Sequence, residues 1–330
     1  MCNAQIQPPI TTTKGISNDK ALRIKPYQQS LVSPRAGRLN LNTAVPNLDN
    51  RWRRLSGRGI KVAVLDTGID LGHPALAANI RDYANFADST VNSNVNDLEG
   101  HGTMVAGVIA ARSFSRSIIG IAPEAELYIG KVTDQNSGGN PESLRAGIEW
   151  ARQKEVHIIN ISLGSDAPLD EVHREIKLAR EKGIFVVCAA GNDGTSDGLD
   201  FPARYDECIS VGAVTRNRNR WEISTGAGSS VGHELDIVAV GQLVRSTFPR
   251  NLSSSGESVR SGTSLAAPFV TGVLALALAK HQILGGSTPI VSLRNVLGHL
   301  LRTAIDLGPI GPDPQFGFGL IDPERFLAEV

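Results

Sequence analysis

The stretch KVAVLD, at residues 61–66, is a run of apolar and β-branched residues that ends in a carboxylate. Such a run is typical of a strand that is buried on both faces of a sheet. Four runs of the same kind follow: ELYIGKV (126–132), VHIINIS (156–162), GIFVVCAA (183–190) and CISVGAV (208–214). The stretch at 61–66 is therefore predicted to be the first strand of a larger sheet.

Helical patterns lie between and after these runs. They cover about 101–112, 141–153, 168–182, 264–281 and 291–302. Two of them begin at a proline, which suits the first turn of a helix. Strands that alternate with helices predict an α/β fold with a mostly parallel central sheet flanked by helices. In such sheets, ligands bind at the carboxyl ends of the strands.

The composition is that of an ordinary globular protein. Among the 330 residues, Lys+Arg and Asp+Glu both number 33, so the formal net charge is zero. This balance argues against a nucleic-acid partner, because nucleic-acid-binding proteins usually carry a basic stripe. The longest apolar run, 265–279, is short for a membrane-spanning helix, so we predict no membrane segment.

Cysteine usage and the N-terminus bear on the compartment. Cys2, Cys188 and Cys208 form an odd, sparse set, which argues against a disulfide framework and fits a reducing compartment. The first residues lack the basic and apolar regions of a secretory signal. Unless a leader has been removed, we predict a cytoplasmic protein. Residues 1–50 are proline-rich and aperiodic, which predicts an extended N-terminal arm before a single domain at 51–330.

Three polar residues lie at strand ends or helix starts, where binding sites form in α/β proteins. Asp66 ends the first run, His101 lies between two glycines at a helix start, and Ser264 opens a long apolar helix. Helix N-termini favour negative charge, so this serine is placed to attack a carbonyl. Singly, each has a structural alternative: a turn-capping aspartate, an exposed histidine and a helix-capping serine. The neighbouring Ser261 is the better candidate for that capping role.

Taken together, the motifs VAVLDTGID, GHGTMVAG and SGTSLAAP resemble those of the subtilisin-like serine peptidases. The order Asp, His, Ser is also that of subtilisin. The resemblance runs from about residue 50 to the C-terminus and implies a subtilisin-like three-layer α/β fold for 51–330. It also implies a serine endopeptidase with Asp66, His101 and Ser264 as its catalytic triad. By the same resemblance, Asn192 in CAAGNDG is the side chain that donates a hydrogen bond to the oxyanion.

The resemblance also implies where a peptide binds. One edge of the cleft is the segment Ser137, Gly138 and Gly139; the facing edge is Ser162, Leu163 and Gly164. An extended peptide between two such segments gains main-chain hydrogen bonds.

The pocket for the residue before the scissile bond is expected between 162–164 and 190–202. The second segment holds Asp193, Asp197 and Asp200 and no basic residue. Carboxylates in a pocket favour a cation, so we hypothesise a preference for Lys or Arg there. The alternative is a solvated acidic loop.

Part of the arm, RIKPYQQ at 23–29, resembles the extension of intracellular subtilisins, which lies across the active site. The matching residues are Ile24, Lys25, Pro26 and Tyr27. Proline lacks an N–H and fixes φ, so it disrupts a bound strand. Lys25 departs from the motif, because an apolar residue is expected there. Autoinhibition in a zymogen is one hypothesis, and a disordered tail is the alternative. The same relatives suggest a homodimer.

Two departures from the family concern packing, and a third concerns metal. Met104 and Leu265 stand at apolar packing positions. The usual calcium site has lost its carboxylate at Ala75 and gained Arg112 and Arg116, whereas calcium needs six to eight oxygen ligands. We therefore expect no metal at that site and no required cofactor, although calcium elsewhere stays open.

Two rival functions compete with peptide hydrolysis by Ser264. The stretch GSSVG (228–232) matches the nucleophile elbow of esterases, but that motif needs a strand before it and a helix after it. Here a Gly/Ser-rich loop precedes Ser230 and a strand-like run follows, so we discount it. The other rival is a pseudoprotease that binds peptides as a scaffold. The four intact catalytic positions argue against this second rival.

Overall fold

The computed structural model describes residues 55–87, 94–113, 118–134, 138–194, 198–223, 226–284 and 292–330. The arm at 1–50, with its motif at 24–27, lies outside the described residues, as do Ser137 and Asp197.

Seven strands form the central sheet. They are β1 (Lys61–Asp66), β2 (Ile80–Asn85), β3 (Glu126–Lys131), β6 (Ile158–Ile161), β7 (Phe185–Ala189), β8 (Ile209–Val214) and β9 (Ile237–Val240). Their order is β2-β3-β1-β6-β7-β8-β9, and every neighbouring pair is parallel. Two antiparallel pairs lie outside this sheet: β4 (Thr133–Asp134) with β5 (Gly138–Gly139), and β10 (Val244–Thr247) with β11 (Glu257–Arg260).

Helices cover both faces of the sheet. They are α1 (His101–Ala110), α2 (Pro141–Gln153), α3 (Asp170–Glu181), α4 (Thr263–Leu284), α5 (Leu293–Thr303) and α6 (Pro323–Glu329). Side chains alternate between the two faces of β1 because successive strand residues point to opposite sides. Val62 and Val64 pack on the side of α1 and α4, whereas Ala63 and Leu65 pack on the side of α2 and α3. The three-layer α/β fold expected from the sequence is therefore confirmed.

The helix that contains the apolar run at 265–279 is longer than the run itself, so shortness alone does not argue against a membrane span. The run belongs to α4, whose 22 residues extend beyond it at both ends. Within the described residues, this helix is long and apolar enough to cross a membrane by length and composition. However, 89% of its most apolar window is buried inside the protein. A helix that is apolar all round is expected at the centre of a large core.

The strand order places the site. After β1, the chain adds β2 and β3 on one side of it and then crosses to add β6 on the other. The connections that leave β1 and β6 run toward opposite edges of the sheet, and open α/β sheets bind ligands at the carboxyl ends of two such strands. Asp66 ends β1 at this point.

Candidate active site

Asp66 and His101 are joined by a direct hydrogen bond. His101 Nδ1 lies 2.7 Å from Asp66 Oδ1, although the residues are 35 positions apart. The same carboxylate oxygen accepts the N–H of Thr67 at 2.8 Å. Asp66 is 1% exposed, and Oδ2 of this residue has no hydrogen-bond partner among the described residues. A buried carboxylate on Nδ1 holds the proton there and leaves Nε2 to act as a base.

The environment of His101 favours its charged form. Burial by itself would lower the pKa of His101. The charge of Asp66 and its hydrogen bond outweigh burial and raise that pKa above the ordinary value for histidine, with help from Asp97 and Glu99. A base must be neutral to take a proton, so this imidazole can take up a proton only above its pKa.

Close backbone contacts fix the helix that carries His101. A Cβ atom on Gly102 would lie 2.2 Å from the carbonyl oxygen of Gly68, so only glycine allows this approach. On its other side, α1 is held by the hydroxyls of Ser246 and Thr247 in β10, which donate to carbonyl oxygens of α1 at 2.7 Å. Gly102 therefore allows the close packing that positions the neighbouring imidazole.

Ser264 lies in the first turn of α4, as predicted, and is 5% exposed. In this structure its hydroxyl donates to the carbonyl oxygen of Ser162 at 3.1 Å. The Ser162 hydroxyl donates in turn to the carbonyl oxygen of Ser264 at 3.2 Å. These two bonds hold the start of α4 against the segment that follows β6. A change of the Ser264 side-chain rotamer would release its hydroxyl from the Ser162 carbonyl.

Register brings these groups to one edge of the sheet. Leu65 of β1 pairs with Ile161 of β6, so the next residues, Asp66 at the end of β1 and Ser162 just after β6, lie at the same edge of the sheet. Neighbouring strands lie about 4.8 Å apart. Because Ser264 is hydrogen-bonded to Ser162, the serine lies at the same edge of the sheet as Asp66.

The orientation of the Asn192 amide follows from its contacts. Asn192 Oδ1 accepts the backbone N–H of Thr263 at 2.9 Å and the Thr263 hydroxyl at 2.9 Å. A backbone N–H can only donate, so the atom facing it must be the amide oxygen. The Nδ2 amine therefore points away from Thr263 and is the end that can donate to a ligand.

The predicted capping role of Ser261 is wrong. Its hydroxyl accepts the N–H of Leu243 at 2.9 Å. The first N–H of α4 is instead satisfied by Asn192, which comes from another segment of the chain. Sequence proximity favoured Ser261, whereas packing of the two segments supplied a different acceptor.

The segments expected to bind peptide lie near this edge. Gly138 and Gly139 form β5, paired with β4, whereas Ser137 is outside the described residues. The segment 162–164 directly follows β6. Ser165, just beyond it, pairs with Phe201, which places the acidic segment alongside.

Asp200 lies close to one glycine of the segment 162–164 and to one glycine of the segment 190–202. A Cβ atom on Gly164 would lie 2.8 Å from Asp200 Cβ, and one on Gly191 would lie 2.7 Å from Asp200 Oδ2. Ser230 Oγ would lie 2.8 Å from the same atom on Gly191. Ser230 is 1% exposed, and its hydroxyl has no hydrogen-bond partner among the described residues. Asp193 instead forms a backbone bridge with Gly228.

The loop around Ser230 differs from a nucleophile elbow. The next regular element after Ser230 is the strand β9, not a helix. This agrees with the interpretation of GSSVG as a chance match.

The region of the usual calcium site is occupied by other contacts. Ala75 is buried, and its carbonyl oxygen accepts the N–H of Arg112 at 2.8 Å. The Arg112 guanidinium donates to Asn79 Oδ1, while Arg116 lies outside the described residues. In the described part of the chain, no group of three His, Cys, Asp or Glu side chains could hold a metal ion.

Sequence reasoning missed several residues that shape this site. Thr67, Asp97 and Thr103 hold the start of α1, and Thr263 orients Asn192. A local signal existed for Asp97, since an acidic residue shortly before a helix start commonly caps it.

Comparison with known proteins agrees with this geometry. The sequence model of the subtilase family matches residues 57–319. Subtilisin Savinase from Lederbergia lenta is 41% identical over 82% of this chain and 92% of its own length. An intracellular serine protease from Paenibacillus polymyxa is 38% identical over 92% of this chain and 91% of its own. M-protease from Shouchella clausii is also 41% identical, and the match spans 65% of its length. The resemblance seen in the three motifs is confirmed: the chain belongs to the subtilase family, a family of serine peptidases.

Proposed function

We propose that the chain is a serine endopeptidase in which Asp66, His101 and Ser264 act as a catalytic triad. The observation that carries this proposal is the 2.7 Å bond between Asp66 Oδ1 and His101 Nδ1. Ser264, at the start of α4, is bonded to the segment that follows the neighbouring strand β6. Family membership supports it, because the relatives are named as proteases.

The mechanism starts with a rotation of Ser264 from the Ser162 carbonyl to His101 Nε2. His101 takes the hydroxyl proton as Ser264 Oγ bonds to the peptide carbonyl carbon. Asp66 stabilises the imidazolium that forms. His101 then protonates the leaving amine, and water repeats the cycle on the acyl-enzyme. The oxyanion is met by Asn192 Nδ2 and the Ser264 N–H, at the positive end of α4.

A serine-directed phosphonylating probe tests this proposal. We expect it to label the wild-type chain, and a chain lacking residues 1–30, at Ser264. Ser264→Ala should not be labelled in either background. A pseudoprotease that only binds peptides would leave all four proteins unlabelled.

Replacing Asn192 by alanine should lower kcat by about 10²–10³-fold, a magnitude known from subtilisin itself. KM should stay unchanged, because the amide meets charge that develops only in the transition state. Steady-state kinetics on a peptide amide would measure both constants. Thr263 also loses an acceptor in this variant, so Thr263→Ser serves as the control that keeps the hydroxyl bond. A rise in KM with unchanged kcat would assign Asn192 to ground-state binding.

We further propose a preference for Lys or Arg before the scissile bond. Support comes from the Asp200 carboxylate beside Gly164 and Gly191 and from the buried hydroxyl of Ser230, which has no hydrogen-bond partner within the described segments. Asp193 is proposed to add negative charge at the rim.

Asp200→Asn should lower kcat/KM for Lys and Arg substrates by about 10–100-fold, the size of one charge-assisted hydrogen bond. Substrates with Phe or Leu at that position should be cleaved as before. Asp306→Asn, remote from the cleft, is the matched control. Profiling of a peptide library that shows a wild-type preference for Phe or Leu would rule the pocket out and favour a solvated acidic loop.

The arm is proposed to inhibit the active site through Ile24, Lys25, Pro26 and Tyr27, so that the full chain is a zymogen. The Paenibacillus relative supports this, because a similarity over 92% of the chain reaches into the 50-residue arm.

The name of that relative and the sparse cysteines also support a cytoplasmic location, and family resemblance suggests a homodimer.

Deletion of residues 1–30 should raise the initial rate on a small peptide substrate, because the competing segment is gone. A synthetic peptide of residues 20–30 should then inhibit the truncated enzyme competitively. Equal rates for the full and truncated chains, normalised by active-site titration, would contradict autoinhibition.

No cofactor enters the proposed reaction. At the usual calcium position we propose that no calcium binds, because the Arg112 cation already occupies the side-chain oxygen of Asn79.

A further inference from the structure

Asp97 is a buried carboxylate outside the proposed triad, and it accepts five hydrogen bonds. Its Oδ1 accepts the Thr67 hydroxyl at 2.9 Å and the N–H groups of Glu99 and Gly100 at 3.1 and 2.7 Å. Its Oδ2 accepts the N–H of Thr103 at 2.9 Å and the Thr103 hydroxyl at 2.7 Å. Asp97 is 2% exposed, so these bonds are shielded from water.

The donors belong to the two segments that carry Asp66 and His101. Thr67 directly follows Asp66 and donates its N–H to Asp66 Oδ1 at 2.8 Å. The Thr67 hydroxyl also accepts the N–H of Gly102, which follows His101, at 2.9 Å. One carboxylate therefore connects the turn after β1 with the first turn of α1.

Helix α1 depends on this connection for its capping. Its N-cap residue, Gly100, has no side chain and makes no side-chain cap bond. The N–H groups of Gly102 and Thr103 in the first turn are satisfied by Thr67 and Asp97 instead. A negative charge at this end of a helix is also favourable.

We propose that Asp97 is a positioning residue that acts through Thr67 to set the separation between Asp66 Oδ1 and His101 Nδ1. The proposal rests on the proposed function, because that separation matters only if His101 is the base.

The chemistry requires a carboxylate at this position. Backbone N–H groups face both oxygens of Asp97, and each N–H can only donate. An asparagine amide would point its own amine at one of these donors in either orientation. Asp97→Asn should therefore break bonds on one side even though it keeps the shape of the side chain.

Asp97 also carries charge toward the imidazole. Within the described part of the chain, the charges of Asp66 and Glu99 also act on His101. The buried Lys131, whose Nζ donates to the carbonyl oxygen of Thr67 at 2.7 Å, acts on Glu99. Asp97 contributes to the raised pKa of His101. Removing a negative charge disfavours the imidazolium, so Asp97→Asn should lower the pKa of His101.

The test compares Asp97→Asn with Asp322→Asn, which alters another aspartate that accepts backbone N–H bonds at a helix start, in α6. We expect Asp97→Asn to lower kcat by about 10²-fold, the cost of a displacement of about 1 Å. KM should stay unchanged, and the acid limb of the kcat/KM profile should move to lower pH. Asp322→Asn should change none of these. Rates are normalised by active-site titration, so that partial unfolding does not mimic the effect.

Two further variants separate the connection from the charge. Thr67→Val keeps Asp97 charged but removes the hydroxyl, so kcat should fall, whereas Thr67→Ser should retain wild-type kcat. Wild-type kcat in Asp97→Asn or in Thr67→Val would overturn the proposal.

NMR titration measures the pKa of the His101 imidazole directly, whether or not the protein hydrolyses peptides. If the serine probe fails to label the wild type, the proposed function fails, yet a lower pKa of His101 in Asp97→Asn would still show that Asp97 acts on the imidazole. An unchanged pKa of His101 would overturn that part of the proposal.

Discussion

Replacing Ser264 by alanine is expected to lower kcat on a peptide substrate by about 10⁶-fold, a magnitude carried over from subtilisin itself. The loss is large because the proposed acyl-enzyme forms on this hydroxyl. KM should change little, since the hydroxyl contributes little to binding of the ground state. With an ester substrate in excess, pre-steady-state kinetics of this variant should show no burst of the first product.

The structure limits the side effects of this substitution. Among the residues that the structure describes, the hydroxyl donates one hydrogen bond, to the Ser162 carbonyl, so its loss should cost about 1 kcal/mol of stability. The matched controls are Ser261→Ala, three residues away, and Ser230→Ala, in the discounted esterase motif. Neither should abolish hydrolysis of peptides.

A further measurement examines whether the proposed triad acts as a unit. His101→Ala alone should cost about as much as Ser264→Ala, and the double variant should be no slower than either. Losses that multiply would mean that the two side chains act independently, which contradicts a proton transfer between them.

The substitution Asp66→Asn should lower kcat by about 10⁴-fold. Thr67 N–H and His101 Nδ1 both contact Asp66 Oδ1, while Oδ2 is buried without a partner among the described residues. If the amide oxygen stays at Oδ1, the charge that stabilises the imidazolium is lost. If the amide turns over, its amine faces two donors.

The pH profile makes this second prediction specific. Asp66 raises the pKa of His101, so its neutralisation should lower that pKa and move the acid limb of kcat/KM to lower pH. The variant should therefore be slow at every pH, yet lose its remaining activity at a lower pH than the wild type. Asp306→Asn is the control for removal of one negative charge far from the cleft. An acid limb that moved to higher pH would contradict the assigned role of Asp66.

The main strands could be predicted because each is a continuous apolar run. β1, β3, β6, β7 and β8 lie within the five runs read from the sequence, and their residues are almost all buried. Edge strand β2, with the sequence IRDYAN, was missed because only its last residue is buried and because it carries the charged Arg81 and Asp82. The pair β10–β11 was missed for a similar reason, since its β11 strand, ESVR, is only partly buried.

Helix starts also differ in how well the sequence predicts them, because some are capped by a neighbouring residue and others by a distant one. The asparagine before α2 accepts the N–H of Ser143, a local cap that sequence rules describe well. The start of α4 is capped by Asn192, which is 71 positions away from Thr263. A cap from so far along the chain leaves no local signal, so the local candidate Ser261 was chosen instead.

The sequence by itself determined the fold class, the family and the side chains that could act as acid, base, nucleophile and oxyanion donor. Periodicity, turn residues and short motifs carry that information because each reflects the local preferences of neighbouring residues. Only the tertiary structure decided which atoms meet: the carboxylate with the imidazole across 35 positions, the serine hydroxyl with a carbonyl across 102, and Asp97 with the turn after β1. Distances of this kind depend on how the packed sheet and helices fix segments that the chain keeps far apart, which local sequence patterns do not encode.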